Sequence, residues 1–449
     1  MLAGDPEGRA LSPEALGFLL LAVFLAAIFI GFPVAFTLMF LSLAFGYLML
    51  GDLVFYLTVF QTIGLMKEEV LAAVPLFIFM GYLLEEGGLM ERLFHAFRLL
   101  MGPVPGSLYV AVLLTATIFG IAAGTVGATV AVVGIMAVPT MTRAGYDPRL
   151  SAGSITAGGS LGILIPPSVM LVVMGPVMGV SVAGLYAAAF GPGFLLSAIF
   201  IVWTLVRCLL NPRLGPPLPV AERAGSLRTL AVELTLGMLP HLVLTVVTLG
   251  PILAGMATPT EAAAVGVVGT VLMAAAYRQL TWKRLRSAMI LTAQQSSMVL
   301  FLAVASNIFG AIFTRLGSAT RMTEALLGLP LPPLGTLLVV MALIFLLGWP
   351  FEWPAIVLVF VPLLQPAILA LKFDLLWFAT LVAVNLQTAF LSPPVAMAAY
   401  YLKGVAPDWR LTDIYWGMAE FMALQLVGLG LCIAFPDIVL WFPRWLFGP

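Results

Sequence analysis

The chain has 449 residues, 62% of them hydrophobic and only 9% charged, with 20 basic and 20 acidic residues that cancel to a net charge of zero. A soluble protein would be about a quarter charged, so a water-soluble enzyme is disfavoured, and the charge balance suggests no nucleic-acid partner. Apolar runs of about 20 residues, the length that crosses a bilayer as a helix, recur from end to end, so the expected fold is an all-α polytopic membrane protein.

Asp5, Glu7 and Glu14 against a single Arg9 do not make the basic start of a cleavable signal peptide, so the first helix is expected to stay in place as an anchor. Residues 14–32 and 33–50 read as consecutive spans, with Gly31-Phe32-Pro33 as the corner between them. Residues 52–69, which carry Asp52, Lys67, Glu68 and Glu69, are expected along the interface, and 70–84 cross again. Residues 85–100 mix Glu91, Arg92, His95 and Arg98 with apolar side chains at helical spacing, as an interfacial helix does. Residues 106–142 are long for one crossing and soft at Gly120, Gly124, Thr125, Gly127 and Thr129, which predicts a re-entrant helical hairpin with its tip at Gly124–Gly127.

A broken helix over 150–180 follows, centred on Gly158-Gly159-Ser160-Leu161-Gly162-Ile163-Leu164-Ile165-Pro166-Pro167-Ser168. The prolines remove backbone donors and the glycines loosen the chain, so no helix runs smoothly through this stretch. In hydrocarbon such backbone is tolerated only where protein or a water-filled cavity receives it, and secondary transporters use these breaks as ion and substrate sites. A span at 184–206 leads to a hydrophilic linker at 207–229, with Asn211-Pro212, Pro216-Pro217 and Pro219. The pattern then restarts with spans at 230–251 and 258–277, the basic segment Arg278, Lys283, Arg284 and Arg286, a span to 309, and an interfacial stretch at 315–327. A second hairpin, 332–366, has the soft centre Gly348-Trp349-Pro350-Phe351-Glu352-Trp353-Pro354, a second broken helix covers 375–402, and a final span 414–435 closes the chain.

Sliding the chain by 227 positions pairs Pro139 with Pro366, Asp147 with Asp374, Ala152 with Ala379, Leu164 with Leu391, Pro166 and Pro167 with Pro393 and Pro394, and Met170 with Met397. The expected organisation is therefore a first repeat over 1–206, a cytoplasmic linker over 207–229 and a second repeat over 230–449. Each half has an odd number of full crossings plus a hairpin that returns to its own side, so the second repeat is expected to be inverted, with the breaks facing each other near the midplane. With the N-terminus outside, all Lys and Arg residues except Arg9, Lys67, Arg315, Arg321, Lys372 and Arg444 fall on the inner side, as the positive-inside rule asks.

At the first break, Ser160 and carbonyls freed near Gly159 and Gly162 are candidates to meet Thr125 and the tip at Gly124–Gly127 around an alkali cation; close packing of small residues is the other reading. At the second, Asn385, Gln387, Thr388 and Ser392 concentrate polar side chains that packing explains less well. Glu352, between Trp349 and Trp353, is an acid at membrane depth and hence a functional candidate, although a wet hairpin tip also accommodates one. Glu261 after Thr258-Pro259-Thr260 reads as a capping box. Glu420 is placed to face another subunit, His95 and His241 are read as structural, and Cys208 and Cys432 are too far apart in sequence to suggest a disulfide or metal site. No P-loop and no nucleophile–base arrangement is present, so neither ATP hydrolysis nor intramembrane catalysis is expected.

The motifs Ala144-Gly145-Tyr146-Asp147-Pro148, Thr156 to Ser168, Thr258-Pro259-Thr260-Glu261-Ala262-Ala263 and Asn385 to Pro394 resemble the large membrane subunit of tripartite ATP-independent periplasmic (TRAP) transporters over nearly the whole chain. The resemblance implies an elevator-type fold, in which a transport domain of both hairpins and both broken helices moves against a scaffold. It also implies sodium as coupling ion with no other cofactor, a small four-helix membrane subunit, a periplasmic substrate-binding protein and an organic-acid substrate, in the bacterial inner membrane. The small subunit is expected as a separate protein, because the chain begins almost directly with the first repeat. Carried over by position, one sodium site would draw on Gly124, Thr125, Gly127, Gly159, Ser160 and Gly162, and a second on Gly348, Asn385, Gln387 and Thr388. Ser168, Glu352, Trp353 and Ser392 are left as substrate-facing candidates. The first tip reads Gly-Thr-Val-Gly-Ala-Thr where a Gly-Ser type is common, which keeps the hydroxyl; the second tip is bulkier than many, and the second break has Leu386-Gln387-Thr388-Ala389 where glycines are frequent. The competing expectation is a stand-alone sodium/carboxylate symporter that needs no binding protein.

Overall fold

In hydrocarbon every backbone N–H and C=O must find its partner within the protein, and a chain this apolar meets that demand with helices. The computed structural model describes residues 12–86, 89–217, 219, 227–393 and 395–448, and all regular structure among them is helical. Asp5, Glu7, Arg9, Arg223 and Pro394 lie outside the described residues. Among the described residues, eight helices are long and apolar enough to cross a membrane, including Pro13–Ile30, Val182–Leu210, Trp282–Arg315 and Leu411–Ala434.

Helix starts follow local chemistry. Ser12 accepts from Ala15 N at 3.3 Å and Asp147 from Leu150 N at 2.9 Å, each just ahead of a proline in the first turn. The capping box forms: Glu261 N donates to Thr258 Oγ1 at 3.2 Å and Thr258 N to Glu261 Oε2 at 2.8 Å. Large apolar side chains such as Phe29, Phe36, Phe40, Phe60 and Leu210 remain exposed, which is the composition of a surface that meets lipid tails.

Residues 52–69, expected along the interface, form the Leu53–Met66 helix, which Asp52 and Lys67 flank and whose body is uncharged. Two stretches differ from their sequence reading. The basic segment before the span ending at 309 is not separate: Lys283, Arg284 and Arg286 sit in the first turns of the Trp282–Arg315 helix, 34 residues without interruption. The 207–229 linker is eaten into from both sides, since Val182–Leu210 carries Arg207 in its last turn and the next helix begins at Leu227.

The hairpin regions and breaks take related forms. Ser107–Ala123 and Val126–Arg143 meet at Gly124, whose φ of +64° suits glycine at a helix end. Pro333–Leu347 is followed by Trp353–Ala355, a π-helical turn at Ile356–Phe360 and Val361–Ala370. The first break passes from Pro148–Ser160 through a 3-10 turn at Leu161–Ile163 to Val169–Met178, and the second from Leu375–Leu386 through Gln387–Phe390 to Met397–Val405. The Pro166–Pro167 bond is cis. Helix boundaries at 126, 143 and 148 recur at 353, 370 and 375, the same offset that pairs the sequence motifs.

Two compact units are present. One comprises the described residues up to Glu68 with Ser297–Leu343 and Pro350–Asp374. In it, Ser318 Oγ donates to Glu14 O at 3.0 Å, Asn307 Nδ2 to Gln61 O at 3.1 Å, and the Phe24 ring stacks at 5.9 Å on Phe351. The other comprises Glu69–Ser296, Ile344–Trp349 and the described residues from Leu375 onward. The units cut across the two sequence halves, and the second hairpin region is shared between them, whereas the first hairpin and both breaks belong to the second unit.

Candidate functional site

The Ala-Gly-Tyr-Asp-Pro motif anchors the first break to the first hairpin. Gly145 takes φ +73°, which turns the chain so that the Tyr146 hydroxyl lies 3.2 Å from Ser107 Oγ and accepts from Leu108 N at 3.2 Å. Burial pushes the Tyr146 phenol above its usual range, partly offset by these hydrogen bonds to Ser107 and Leu108. Tyr109 Oη donates to Leu214 O at 2.6 Å and Asp147 N to the same oxygen at 3.0 Å, which ties in the turn after the Val182–Leu210 helix. The base of the hairpin is thereby fixed to the base of the broken helix.

At the break the glycines are sites of close approach. A Cβ on Gly162 would stand 2.9 Å from Gly120 Cα, and one on Gly159 would collide with the Val130 side chain and lie 3.3 Å from its backbone N. The hairpin arms thus pack directly on the break, backbone against backbone. At the tip, Gly124 faces Pro167 O and Val169 across ordinary contact distances, and a Cβ on Gly127 would sit 2.9 Å from the Tyr401 ring of the Met397–Val405 helix. Thr125 precedes the first turn of Val126–Arg143 without capping it through its side chain, and its carbonyl accepts from Thr129 Oγ1 at 2.7 Å. Among the first-site candidates, Gly124 at the tip thus faces the far side of the break and Gly127 faces Tyr401, while Gly159 and Gly162 meet the hairpin arms at Val130 and Gly120. Ser160 is wholly buried; its hydroxyl donates to Ala157 O at 2.9 Å and accepts from Gln425 Nε2 at 3.1 Å. Ser168 is also wholly buried, donates to Ile163 O and accepts from Leu171 N at 3.5 Å, so its hydroxyl closes the break and caps the following helix.

The second break buries Asn385, Gln387, Thr388 and Ser392 to 1% exposure or less. Thr388 Oγ1 donates to Asn385 O at 2.6 Å, Ser392 Oγ to Thr388 O at 2.7 Å, and Gln387 Nε2 to Ala383 O at 3.2 Å. Gln387 Oε1 is buried with no hydrogen-bond partner, an arrangement that costs free energy unless something else meets the oxygen. Gly348 lies against this turn, where a Cβ would stand 3.0 Å from that of Ala389. The second-site candidates are thus together in one unit. Glu352 and Trp353 belong to the other unit. There Glu352 is exposed and its carbonyl accepts from Ala355 N at 3.1 Å, while Trp353 is buried to 8%.

Hydroxyls, amide oxygens and carbonyls left by the ends of broken helices form a neutral, hard donor set that suits an alkali cation. Glu420 is half-buried and accepts from Trp203 Nε1 and Arg207 Nη1, both at 2.5 Å, within the second unit. Sequence reasoning missed Gln425, a lone amide in the final apolar span that donates to Ser160 in the first break; its isolation there was the available signal. Cys208 and Cys432 are free and buried, and His241 is buried with Nδ1 3.0 Å from Gly237 O.

Residues 21–438 match the family described as the DctM component of the tripartite ATP-independent periplasmic transporter. The sialic acid TRAP transporter large permease protein SiaM of Vibrio cholerae is 29% identical over 94% of this chain and 97% of its own length. The C4-dicarboxylate TRAP transporter large permease protein DctM of Rhodobacter capsulatus is 28% identical over 85% of this chain and 88% of its own. Among solved structures, the Alcanivorax borkumensis YdaH transporter aligns with a TM-score of 0.63 over 97% of this chain and 100% of that one, at 16% identity, a likeness of fold. The chain belongs to the DctM family of TRAP transporter large permeases, multi-pass membrane transport proteins and not enzymes.

Proposed function

We propose that this chain is the large membrane subunit of a sodium-driven, binding-protein-dependent importer of an organic acid, working by an elevator mechanism in the bacterial inner membrane. The observation that carries the reading is the second break, where buried hydroxyls and amides share one turn with Gln387 Oε1, a buried oxygen without a hydrogen-bond partner in the protein. A neutral oxygen-rich turn of this kind accepts a cation without a buried carboxylate. Gly348, Asn385, Gln387 and Thr388 would form one sodium site, and Gly124, Thr125, Gly127, Gly159, Ser160 and Gly162 the other. Ser168, Glu352, Trp353 and Ser392 stay as substrate-facing candidates; of these, Glu352 has an exposed side chain, whereas the Ser168 hydroxyl is engaged in hydrogen bonds within the break.

The recurrence of helix boundaries at one offset supports two repeats, 1–206 and 230–449 around the 207–229 linker, and the positive-inside distribution supports an inverted pair with the N-terminus periplasmic. Relatives named for sialic acid and for C4-dicarboxylates support a carboxylate substrate. With no Arg or Lys inside either break, the carboxylate would be held by helix N-termini, hydroxyls and the bound cations. The partners on this reading are a small four-helix membrane subunit and a periplasmic substrate-binding protein.

The test is uptake into proteoliposomes containing this chain, the small subunit and the binding protein, under an imposed inward sodium gradient, with each component omitted in turn. The reading expects flux only with sodium and all three proteins. Flux that persists without the binding protein would replace it with a stand-alone symporter.

A further inference from the structure

The Leu411–Ala434 helix engages the Pro148–Ser160 helix at three levels. At the first, Arg149 Nε donates to Asp413 Oδ1 at 2.8 Å. At the second, two glycines interlock: a Cβ on Gly417 would lie 2.9 Å from Gly153 N and run into Arg149 O, and one on Gly153 would lie 2.6 Å from Gly417 O. Backbone meets backbone there, so the register between the two helices has little freedom. At the third level, that register delivers Gln425 Nε2 to Ser160 Oγ at 3.1 Å.

Gln425 is 0% exposed, and its Oε1 is buried without a hydrogen-bond partner. The Ser160 hydroxyl donates to Ala157 O, so it can only accept from the amide, which fixes the N–H end of Gln425 toward Ser160. Met422 stands three residues earlier and therefore on the same helix face. Its Sδ lies 3.1 Å from the Ser392 hydroxyl in the second break. One face of one helix thus touches both breaks, in a unit that contains all of these residues.

We propose that Gln425 is a positioning residue of the first-break cation site and that, through Met422, its helix links that site to the second break. The inference rests on the reading of the breaks as alkali-cation sites. Gln425 orients the Ser160 oxygen and holds a second neutral oxygen beside it, and a shift of the helix on filling one break is felt at the other. A residue that only packed the core would be replaceable by an apolar side chain of similar shape without any effect on ion dependence.

The test is sodium titration of thermal unfolding for the purified full chain in detergent, with potassium as the balancing cation. Gln425→Met keeps the volume and removes the amide; Gln425→Glu keeps an oxygen on a side chain of the same length. Gln425→Met is expected to weaken the sodium midpoint about tenfold, the scale of one lost buried hydrogen bond, and to lower the steepness of the sodium response. Gln425→Glu loses the N–H that donates to Ser160 Oγ, so it is expected to lose the wild-type midpoint as well. A Gln425→Met protein that melts lower without sodium yet keeps the wild-type midpoint and steepness would overturn the proposal. If Gln425→Met does not fold, the cycle of Ser160→Ala and Gln425→Glu decides: additive effects on the midpoint overturn the link, and non-additive effects support it. A wild-type protein with no sodium response would instead sink the cation reading of the breaks, and this inference with it.

Discussion

Substituting Gly162 by alanine tests whether the first hairpin is seated on the break by backbone contact. The added Cβ would stand 2.9 Å from Gly120 Cα and 3.3 Å from Gly120 O. Carbon atoms rest at about 3.5–4.0 Å, so the shortfall to the Cα is roughly 0.6 Å or more. Both opposing atoms belong to the main chain of the Ser107–Ala123 helix, where no rotamer change relieves the overlap. Overpacking of this kind costs about 1–3 kcal/mol. Alanine also narrows the unfolded ensemble, which returns about 0.4–1 kcal/mol. The expected net destabilisation is about 1–2 kcal/mol, read as a lower unfolding temperature in detergent together with reduced uptake. Gly310→Ala is the matched control, because it lies inside the Trp282–Arg315 helix with nothing within 4 Å of a new Cβ. It is expected to be neutral or stabilising by up to about 1 kcal/mol. Equal behaviour of the two variants would refute the argument.

Tyr146→Phe removes the acceptor for Leu108 N and the neighbour of Ser107 Oγ, and is expected to cost about 1–2 kcal/mol in thermal or denaturant unfolding. Glu420→Ala leaves Trp203 Nε1 and Arg207 without their shared carboxylate, so it should destabilise measurably more than Glu324→Ala, whose pair with Arg321 is exposed on both sides and worth under about 1 kcal/mol. Gln387→Leu removes a buried oxygen that lacks a partner together with a long hydrogen bond to Ala383 O, so the sodium-free protein is expected to stay within about 1 kcal/mol of wild type while sodium-dependent uptake falls. Uptake with unchanged sodium dependence would contradict that assignment.

Much of this architecture is legible in the sequence because bilayer helices obey few rules. Proline pairs after glycine or small polar residues mark both breaks, Gly124 marks the turn of the first hairpin, and Thr258 with Glu261 announces a helix start. Charge was less informative. Lys283, Arg284 and Arg286 do not separate a loop from a span, because long basic side chains continue a helix as readily as they end one. The candidate site was readable as a set of residues and unreadable as a set of contacts. The hydroxyls of Ser160, Ser168, Thr388 and Ser392 all turn back on nearby carbonyls, a local preference of small hydroxylated residues in and after helices. That Gln425 reaches Ser160 from another helix depends on the register set by Gly153 and Gly417, which no periodicity reveals.

Equilibrium binding of radioactive sodium to the purified chain tests most directly the proposal that the two helix breaks hold the coupling cations. The account predicts saturable sodium binding that potassium does not displace. It predicts partial loss of sites in both Thr125→Ala and Thr388→Ala, with a sodium-free unfolding temperature near wild type for Thr125→Ala and lower for Thr388→Ala, which gives up the hydrogen bond to Asn385 O. Wild-type sodium binding left intact in both variants would contradict it.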